Sequence, residues 1–309
     1  MEIIHLKHPH RPVNLPPTVT ALGFFDGVHL GHRKVIETAV KKAADEHIYS
    51  AVMTFFPHPK EVLGKNGGYP VRYLSPLEEK EKLIEKTGVD YLFIVEFTSR
   101  FSELSPQQFV DDYLIDLNVK HVVAGFDYSY GRLGKGTMET MPFHSRNLIT
   151  QTTVEKVAGQ EGKISSTSIR EAMAKGEIDK VNSYLGRNYK ITGVVEHGEK
   201  RGRTIGFPTA NVSTDAQKEI PAAGVYAVTF KVNGKMYSGV CNIGSKPTFH
   251  DETAKQTIEV HLLDTEKNLY DEKVEVVFLG RIRGEIKFDG AEALIAQINK
   301  DIAEARSFF

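Results

Sequence analysis

The stretch ALGFFDGVHLGHRKVI, residues 21–36, passes from an apolar run through a glycine-rich turn into a helical pattern. Gly23 and Gly27 allow the backbone to approach a ligand closely, and His29 and His32 lie about one helical turn apart. In an open α/β sheet such a turn lies at the carboxyl edge, where the next helix presents unpaired N–H groups to anions. The stretch therefore predicts a phosphate site, although the spacing is not that of a P-loop. Taken alone, it also fits part of a zinc site or two unrelated surface histidines.

Composition limits the function classes. Lys and Arg number 39 against 40 Asp and Glu, so the net charge of −1 gives no general attraction to nucleic acid or an anionic membrane. No apolar run approaches the roughly 20 residues of a membrane span, and the N-terminus lacks the apolar centre of a secretory signal. Cys241 is the only cysteine, which excludes an intrachain disulfide, and its apolar neighbours predict a small buried side chain. We expect a soluble, cytoplasmic protein with no nucleic-acid or membrane partner. Its oligomeric state has no signal in the sequence.

The first half alternates strand and helix patterns, which is typical of βαβ units and a parallel sheet. Ser105 is placed to cap a helix that opens at Pro106. At least four strands and three helices are expected by residue 126, with strand patterns at 18–25, 49–56, 90–97 and 119–126 and helical patterns at 32–47, 75–88 and 105–118. Residues 165–186 predict a last helical region that ends at Gly186. This half is expected to be a Rossmann-like α/β domain.

Beyond residue 186 the apolar period changes to two. Short turns join the strand patterns, and the pair Asn233-Gly234 favours a tight hairpin, so we expect a closed antiparallel β-barrel. Residues 291–309 carry apolar side chains at helical spacing, which predicts an amphipathic terminal helix packed on the barrel. We therefore predict two domains, 1–186 and 187–309.

A second segment, KISSTSIREA at 163–172, places several hydroxyls and Arg170 at a helix entrance. Ordinary helix capping explains part of this pattern. Hydroxyls, backbone amides and an arginine at one helix start also form an anion cradle, and together with the first turn they could hold both ends of a triphosphate.

The barrel half contains HGEKRGRTIGFPTANV at 197–212. Its glycines allow the loop to fold over a nucleotide while Lys200 and Arg203 neutralise phosphate. Thr209 and Asn211, two apart on an extended segment, face the same side and offer oxygen ligands to Mg²⁺. A nucleic-acid patch is the alternative, but no series of aromatic side chains for base stacking follows it.

These motifs together resemble a known family. GFFDGVHLGH and ISSTSIR resemble the H-x-G-H and I-S-S-T-x-x-R signatures of the nucleotidylyltransferase superfamily. With TFFPHP, VVAGFDYSYGRLGKGT and GFPTAN, the chain from about residue 15 onward resembles the bacterial bifunctional riboflavin kinase/FMN adenylyltransferases, also called FAD synthetases. The resemblance implies a nucleotidylyltransferase domain followed by a riboflavin kinase domain.

For the first domain, the resemblance implies transfer of AMP from ATP to FMN with release of pyrophosphate. His29 and His32 would stabilise charge on the phosphoryl oxygens, and Arg170 with nearby hydroxyls would hold the pyrophosphate. Asp127 matches a family position beside substrate phosphate or Mg²⁺, with a surface turn as the alternative, and His58 either lines the flavin site or is structural. The expected nucleotide-binding residues are Gly23, Phe24, Asp26, Gly31, Ser165, Ser166 and Thr167.

For the second domain, the resemblance implies phosphorylation of riboflavin to FMN by ATP. Thr209 and Asn211 would hold Mg²⁺ and the nucleotide phosphates, and Glu259 would act as general base on the riboflavin 5′-hydroxyl. From the residues alone, Glu259 points away from the core neighbours Ile258 and Val260, which also fits simple solvent exposure. Arg283 is expected to contact the flavin.

The implied function is two-step FAD biosynthesis, with ATP, riboflavin and FMN as substrates, Mg²⁺ as cofactor, and FAD and pyrophosphate as products. Two alternatives stay open at this point. The first is that the chain retains only one of the two activities. The second is that it is a flavin-sensing or RNA-binding regulator built on the same scaffold.

Overall fold

The computed structural model describes residues 1–10, 14–64, 71–159, 162–198, 201–246, 255–265, 267 and 269–309. The chain divides into two compact units, Met1–Ser166 and Thr167–Phe309. The helices and strands of each unit are given separately below.

In the first unit, six of the described strands form one parallel sheet in the order β1-β4-β3-β2-β5-β8. The strands of this unit are β1 (Glu2–Leu6), β2 (Thr18–Leu22), β3 (Tyr49–Phe56), β4 (Tyr91–Glu96), β5 (Val119–Gly125), β6 (Ser129–Tyr130), β7 (Gly136–Thr137), β8 (Thr150–Val154), β9 (Ala158–Gly159) and β10 (Gly162–Lys163). Its helices are α1 (Leu30–Asp45), α2 (Pro59–Val62), α3 (Leu77–Glu85), α4 (Ser99–Ser102), α5 (Pro106–Val110) and α6 (Met141–His144). The predicted Rossmann-like α/β architecture is confirmed.

Helices cover both faces of this sheet, which is why its strands are almost continuously apolar. On one face α1 buries Val35, Ile36 and Ala39 against the strands. On the other face Phe109 and Tyr113 pack in a second apolar cluster. Polar groups able to meet a ligand are therefore concentrated at the ends of the strands.

The helix predicted at 105–118 begins as expected but changes type. The Ser105 hydroxyl accepts a hydrogen bond from the backbone N–H of Gln108, whose side chain in turn accepts the Ser105 backbone N–H, forming a capping box. After Val110 the chain continues as a π-helical turn, Asp111–Ile115, which buries Tyr113 in the core.

The second unit is a closed antiparallel barrel with helices, as predicted. The barrel order is β11-β12-β15-β14-β13-β16. Its strands are β11 (Lys190–Glu196), β12 (Ala210–Thr214), β13 (Gly224–Val232), β14 (Lys235–Lys246), β15 (Lys255–Leu262) and β16 (Lys273–Arg283), and the remaining helices are α7 (Ser166–Lys175), α8 (Ile178–Leu185), α9 (Arg201–Thr204) and α10 (Ala291–Ala305). Short 3₁₀ turns lie at Arg132–Gly134 in the first unit and Arg306–Phe308 in the second.

The last predicted helical region contains two helices rather than one. Gly176, at φ 74°, separates α7 from α8, and Gly186, at φ 64°, ends α8 as expected. From Thr167 onward both helices belong to the second compact unit, and the predicted boundary near residue 186 falls after them.

Two local predictions for the barrel hold. Asn233 and Gly234 join β13 to β14 with φ of 49° and 75°, the positive values that a type I′ hairpin turn requires. The terminal helix α10 packs Ile302 and Ala305 against the barrel cluster that includes Val240. No helix within the described ranges has the length and apolar character needed to cross a membrane.

Candidate active sites

A cavity of about 980 Å³ opens at the carboxyl ends of the parallel strands of the first unit. The loops after β2, β3 and β5 and the segment before α7 all contribute to its wall, because parallel strands direct their following loops to one edge. Nine sequence-predicted residues line it: Gly23, Phe24, His29, Gly31, His32, His58, Asp127, Ser165 and Ser166.

His29 is the N-cap of α1 and is held in one tautomer. Its Nδ1 accepts a hydrogen bond of 3.2 Å from the backbone N–H of His32, so its Nε2 carries the proton and is a donor. The two imidazole rings stack with centroids 3.5 Å apart. Gly31 makes room for this arrangement, since a Cβ there would lie 3.1 Å from the His29 ring.

His32 is neutral under ordinary conditions. Its pKa lies well below the usual value, mainly because the ring is shielded from water and also because electrostatic interactions with His29 and Lys80 disfavour the charged form. Its buried Nδ1 has no hydrogen-bond partner among the residues described. The His32 and Phe25 rings meet edge-on, with their centroids 5.3 Å apart. The pair therefore offers N–H donors at the helix start rather than two cations.

The turn between β2 and α1 is conformationally strained. Phe25 and Val28 have φ of 54° and 40°, although neither is glycine, and Gly27 has φ of 80°. Each such non-glycine residue costs about 1–3 kcal/mol unless the surroundings hold it in place. Both Phe25 and Val28 are buried, which supplies part of that constraint.

Asp26, predicted to bind nucleotide, accepts hydrogen bonds from neighbouring segments of the protein. Its buried carboxylate accepts the backbone N–H groups of Leu74 and Ser75 at 3.2 and 3.0 Å. Its carbonyl accepts the Ser166 hydroxyl at 3.0 Å, which connects the first turn to the last residue of the first unit. Direct contact of Asp26 with nucleotide stays a prediction.

The cavity rim carries positive charge that sequence reasoning missed. Asp127 forms an exposed ion pair with Lys163, whose Nζ lies 2.9 Å from its Oδ2. Lys156 and Lys163 both lie over the Phe126 ring, at 4.5 and 5.0 Å from its centroid. Neither lysine falls in a helix cap or a regular apolar pattern, so only the folded loops reveal their convergence.

His58 and the aromatic residues form the apolar part of the wall. His58 caps α2 through Nδ1, which accepts the backbone N–H of Lys60, and its ring lies 4.5 Å from that of Phe24 in an edge-on arrangement. Tyr128 and Tyr130 stack at 6.2 Å, and burial raises the pKa of the Tyr128 hydroxyl. A flat aromatic ligand fits such a wall.

Two predicted residues fall in the second compact unit. Thr167 and Arg170 lie on α7, and the Arg170 Nε is 3.9 Å from the Glu219 carboxylate. Their roles toward pyrophosphate stay predictions.

In the barrel, three predicted residues converge on one face. Asn211 on β12 lies directly opposite Glu259 on β15, and the Thr209 hydroxyl donates to the Glu259 carboxylate at 3.5 Å. On the other side of Glu259 its direct partner is Asn242 on β14, which sequence reasoning missed. Cross-strand partners share a face of the sheet, so these polar side chains form a continuous row.

The surroundings of Glu259 decide its orientation. Its neighbours Ile258 and Val260 are buried in the core, and Glu259 itself is half-buried on the opposite side. This is the alternation that the sequence predicts. Cys241 is buried as expected, and burial followed by the Glu259 charge raises the pKa of its thiol.

The Pro-Thr-Ala-Asn segment is anchored by a histidine. His261, two residues beyond Glu259, donates from Nδ1 to the Pro208 carbonyl at 2.8 Å. Its ring also meets Phe207 edge-on at 5.6 Å. The predicted phosphate ligands Lys200 and the side chain of Arg203 lie outside what the structure describes.

Arg283, predicted to contact flavin, is engaged in a buried ion pair. Its Nε donates to both carboxylate oxygens of Asp301 on α10 and its Nη2 donates to one of them, at 2.8–3.0 Å. The observed contact fixes the terminal helix to the end of β16. A flavin contact stays a prediction.

Comparisons with known proteins identify a family for each half of the chain. A family model described as FAD synthetase matches residues 12–168, and one described as riboflavin kinase matches residues 185–309. Proteins named bifunctional riboflavin kinase/FMN adenylyltransferase from Bacillus subtilis (strain 168) and Listeria monocytogenes are each 48% identical, over 100% of this chain and 98% of theirs. A solved structure titled macrolide-efflux protein from Streptococcus pneumoniae is 33% identical, with a TM-score of 0.89 over 99% of both chains. The chain belongs to the family of bifunctional riboflavin kinase/FMN adenylyltransferases.

Proposed function

We propose that the chain carries out both reactions of its family at the two sites described, FMN adenylylation in the first-unit cavity and riboflavin phosphorylation on the barrel. The single observation that carries the proposal is that two separate polar constellations, the stacked histidines and the Thr209, Asn211 and Glu259 row, lie in regions matched by the corresponding family models. We assign the activities to residues 1–186 and 187–309.

In adenylyl transfer, a phosphate oxygen of FMN attacks the α-phosphorus of ATP. The bond from that phosphorus to the bridging oxygen breaks, and pyrophosphate leaves with the electron pair. The protein needs no nucleophile, so its contribution is alignment and stabilisation of charge. His29 donates through Nε2 and neutral His32 adds a second donor, while the α1 N-terminus favours negative charge.

The other lining residues have complementary roles in this proposal. Lys163 and Lys156 attract the phosphates at the rim, and Asp127 orients Lys163 or a bound ion. Ser165, Ser166, Thr167 and Arg170 hold the leaving pyrophosphate. The aromatic wall, including Tyr128, takes the flavin ring.

In the kinase reaction, Glu259 takes the proton of the riboflavin 5′-hydroxyl as its oxygen attacks the γ-phosphorus of ATP. ADP leaves with the bonding electron pair, and the product is FMN. The row of polar side chains holds the base in place, because Thr209 donates to its carboxylate and Asn211 lies directly beside it. Proton transfer of this kind contributes about 10²–10⁴-fold to rate.

The barrel residues fit Mg²⁺. The Thr209 hydroxyl and the Asn211 amide oxygen are hard oxygen donors of the kind this ion prefers, and water and phosphate oxygens would fill the remaining positions. No group of three His, Cys, Asp or Glu that could hold a metal ion occurs in the described part of the chain. When bound, Mg²⁺ supplies neutralisation of the transferring phosphate charge. We place the enzyme in the cytoplasm, where ATP and riboflavin are available and a single cysteine stays reduced.

The test is a turnover assay with the full chain, ATP and Mg²⁺, in which riboflavin, FMN and FAD are separated chromatographically. His32→Ala is expected to lower FAD formation from FMN by about 100-fold and leave FMN formation intact. Glu259→Gln is expected to do the reverse. Accumulation of FMN without FAD by the unmodified chain would remove the first activity, and equal loss of both steps in either variant would contradict separate sites.

A further inference from the structure

A buried lysine lies beneath the strained turn and has no part in the mechanism above. Lys80 on α3 is 2% exposed, and with Ile84 it forms the buried face of that helix. Leu77, three residues earlier, also packs on the apolar cluster there. Lys80 therefore occupies a core position in an amphipathic helix, where a charge is strongly disfavoured without dedicated partners.

Its ammonium group has such partners, and they converge on the Phe24 carbonyl. Lys80 Nζ donates to the Phe24 oxygen at 3.2 Å and to the Thr54 hydroxyl at 3.0 Å. Thr54 in turn donates to the same Phe24 oxygen at 2.8 Å. The ammonium also lies 4.7 Å from the centre of the Phe24 ring. One carbonyl thus receives two hydrogen bonds, one from β3 and one from α3.

That carbonyl lies where the chain leaves the sheet. Just beyond the end of β2, the Gly23 N–H still donates to the Met53 carbonyl of β3, at 3.2 Å. The residues that follow include Phe25 and Val28 at positive φ, which persist only when surrounding contacts hold them. His29 then caps α1 directly after this strained segment.

The charge of Lys80 also interacts with two side chains of the turn, Asp26 and His32. The Asp26 carboxylate stabilises the ammonium electrostatically, and the ammonium lowers the pKa of His32 after burial and His29. The lysine thus fixes the backbone and helps to keep His32 uncharged.

We infer that Lys80 is a positioning residue for FMN adenylylation: its ammonium group holds the Phe24 carbonyl, and with it the turn that presents the stacked histidines to the cavity. This inference rests on the proposed role of that cavity. It assigns to Lys80 no contact with substrate.

The central test replaces Lys80 by Met, an unbranched side chain one heavy atom shorter, which removes the charge and the donors. The kcat of FMN adenylylation is expected to fall about 10–100-fold with little change in KM for ATP or FMN, because binding groups stay in place while the histidines are misaligned. Riboflavin phosphorylation by the same preparation is the internal control and is expected to stay within about twofold of the unmodified enzyme. Lys80→Gln, which keeps a donor, is expected to recover part of the loss.

A matched control separates the charge from the hydrogen bond. Thr54→Val has nearly the same shape and removes the uncharged donor to Phe24, together with the hydroxyl that accepts from Lys80, but it leaves the hydrogen bond from the ammonium to the Phe24 carbonyl. Burial lowers the pKa of Lys80 to about 8, with Asp26 and Glu81 opposing that shift. The adenylylation rate of the unmodified enzyme and of Thr54→Val is therefore expected to decline above about pH 8 as the ammonium loses its proton. The rate of Lys80→Met is expected not to show this decline above pH 8. His32, the other nearby titratable group, is already neutral there.

The pH dependence of stability has the opposite sign to that of the adenylylation rate: stability rises where the rate declines. Because the folded-state pKa of Lys80 is below the unfolded value, the unfolded chain binds more protons between about pH 8 and 10, and this group makes stability rise with pH in that window. The difference in unfolding midpoint between the unmodified enzyme and Lys80→Met is expected to show that rise.

Three results would overturn the inference. They are an adenylylation kcat within twofold of normal in Lys80→Met, equal losses of both activities, or the same alkaline decline in Lys80→Met as in the unmodified enzyme. If Lys80→Met does not fold, Lys80→Gln and the comparison with Thr54→Val decide by the same criteria. If the unmodified chain forms no FAD from FMN at all, it is the proposed function that fails, and that outcome is recognised before any variant is made.

Discussion

The ion pair between Arg283 and Asp301 gives a prediction about the stability of the second unit. Asp301 lies on α10 and is 2% exposed, and three hydrogen bonds of 2.8–3.0 Å join its carboxylate to the guanidinium of Arg283. Gln297, one turn earlier, adds a hydrogen bond of 2.8 Å. Asp301→Leu removes the carboxylate and leaves the arginine largely buried without its partner.

The expected cost follows from that burial. Breaking a buried ion pair by removing one partner typically costs about 3–5 kcal/mol, mostly because the remaining charge is stranded. The Arg283 side chain is 17% exposed, so water reaches it partially and the lower end, about 3 kcal/mol, applies here. The double variant Arg283→Met with Asp301→Leu removes both charges, and we expect it to lie within about 1 kcal/mol of the unmodified chain.

Urea unfolding followed by far-ultraviolet circular dichroism measures these free energies. Riboflavin kinase activity at each urea concentration identifies the transition that belongs to the barrel. If Asp301→Leu lowers the free energy of unfolding by less than about 1 kcal/mol, the reasoning that a buried, unpaired Arg283 destabilises the barrel is wrong. The same holds if the double variant is no more stable than the single one.

The same double variant tests the predicted flavin contact of Arg283. If this residue only anchors α10, the double variant keeps a normal KM for riboflavin once stability is restored. A large rise in KM with normal stability would instead support a flavin role in addition to the ion pair.

The remaining predictions concern one residue near each site. Gly31→Ala introduces a Cβ 3.1 Å from the His29 ring, so we expect about a tenfold lower rate of FMN adenylylation in steady-state assays with no loss of thermal stability; an unchanged rate would show that this ring position is not critical. His261→Leu removes the hydrogen bond of 2.8 Å to the Pro208 carbonyl, and we expect riboflavin kinase activity to fall about tenfold, with His261→Asn, which retains an N–H donor, losing less. Equal loss in the Leu and Asn variants would argue against the hydrogen bond as the reason.

Local signals predicted much of the architecture and part of the first site. The alternation of strand and helix patterns, the Ser105 cap and the Asn233-Gly234 turn depend on residues a few positions apart, and all three are confirmed. The position of His29 and His32 at the start of α1 follows in the same way, because a strand, a turn and a helix in succession determine which edge of a parallel sheet they reach.

For some predicted site residues, only the folded structure shows which groups they contact. Period-two alternation placed Glu259 away from the core, but only the pairing of β12 with β15 brings it beside Asn211. For Asp26 and Arg283, the family resemblance implied contact with a ligand, whereas the structure shows hydrogen bonds to backbone and to Asp301. A side chain able to bind a ligand is equally able to bind the protein, and the sequence alone does not distinguish these partners.

Sequence by itself determined the two-part organisation, the classes of fold and the turn that carries the histidines, since these depend on short-range periodicity and on caps. Tertiary structure alone decided which distant groups meet: Lys80 with the Phe24 carbonyl, 56 residues away, and Lys163 with Asp127, 36 residues away. In the sequence Lys80 is one more charge in a charged helix. Its burial beneath the turn depends on three-dimensional packing, for which no spacing along the chain is a signal.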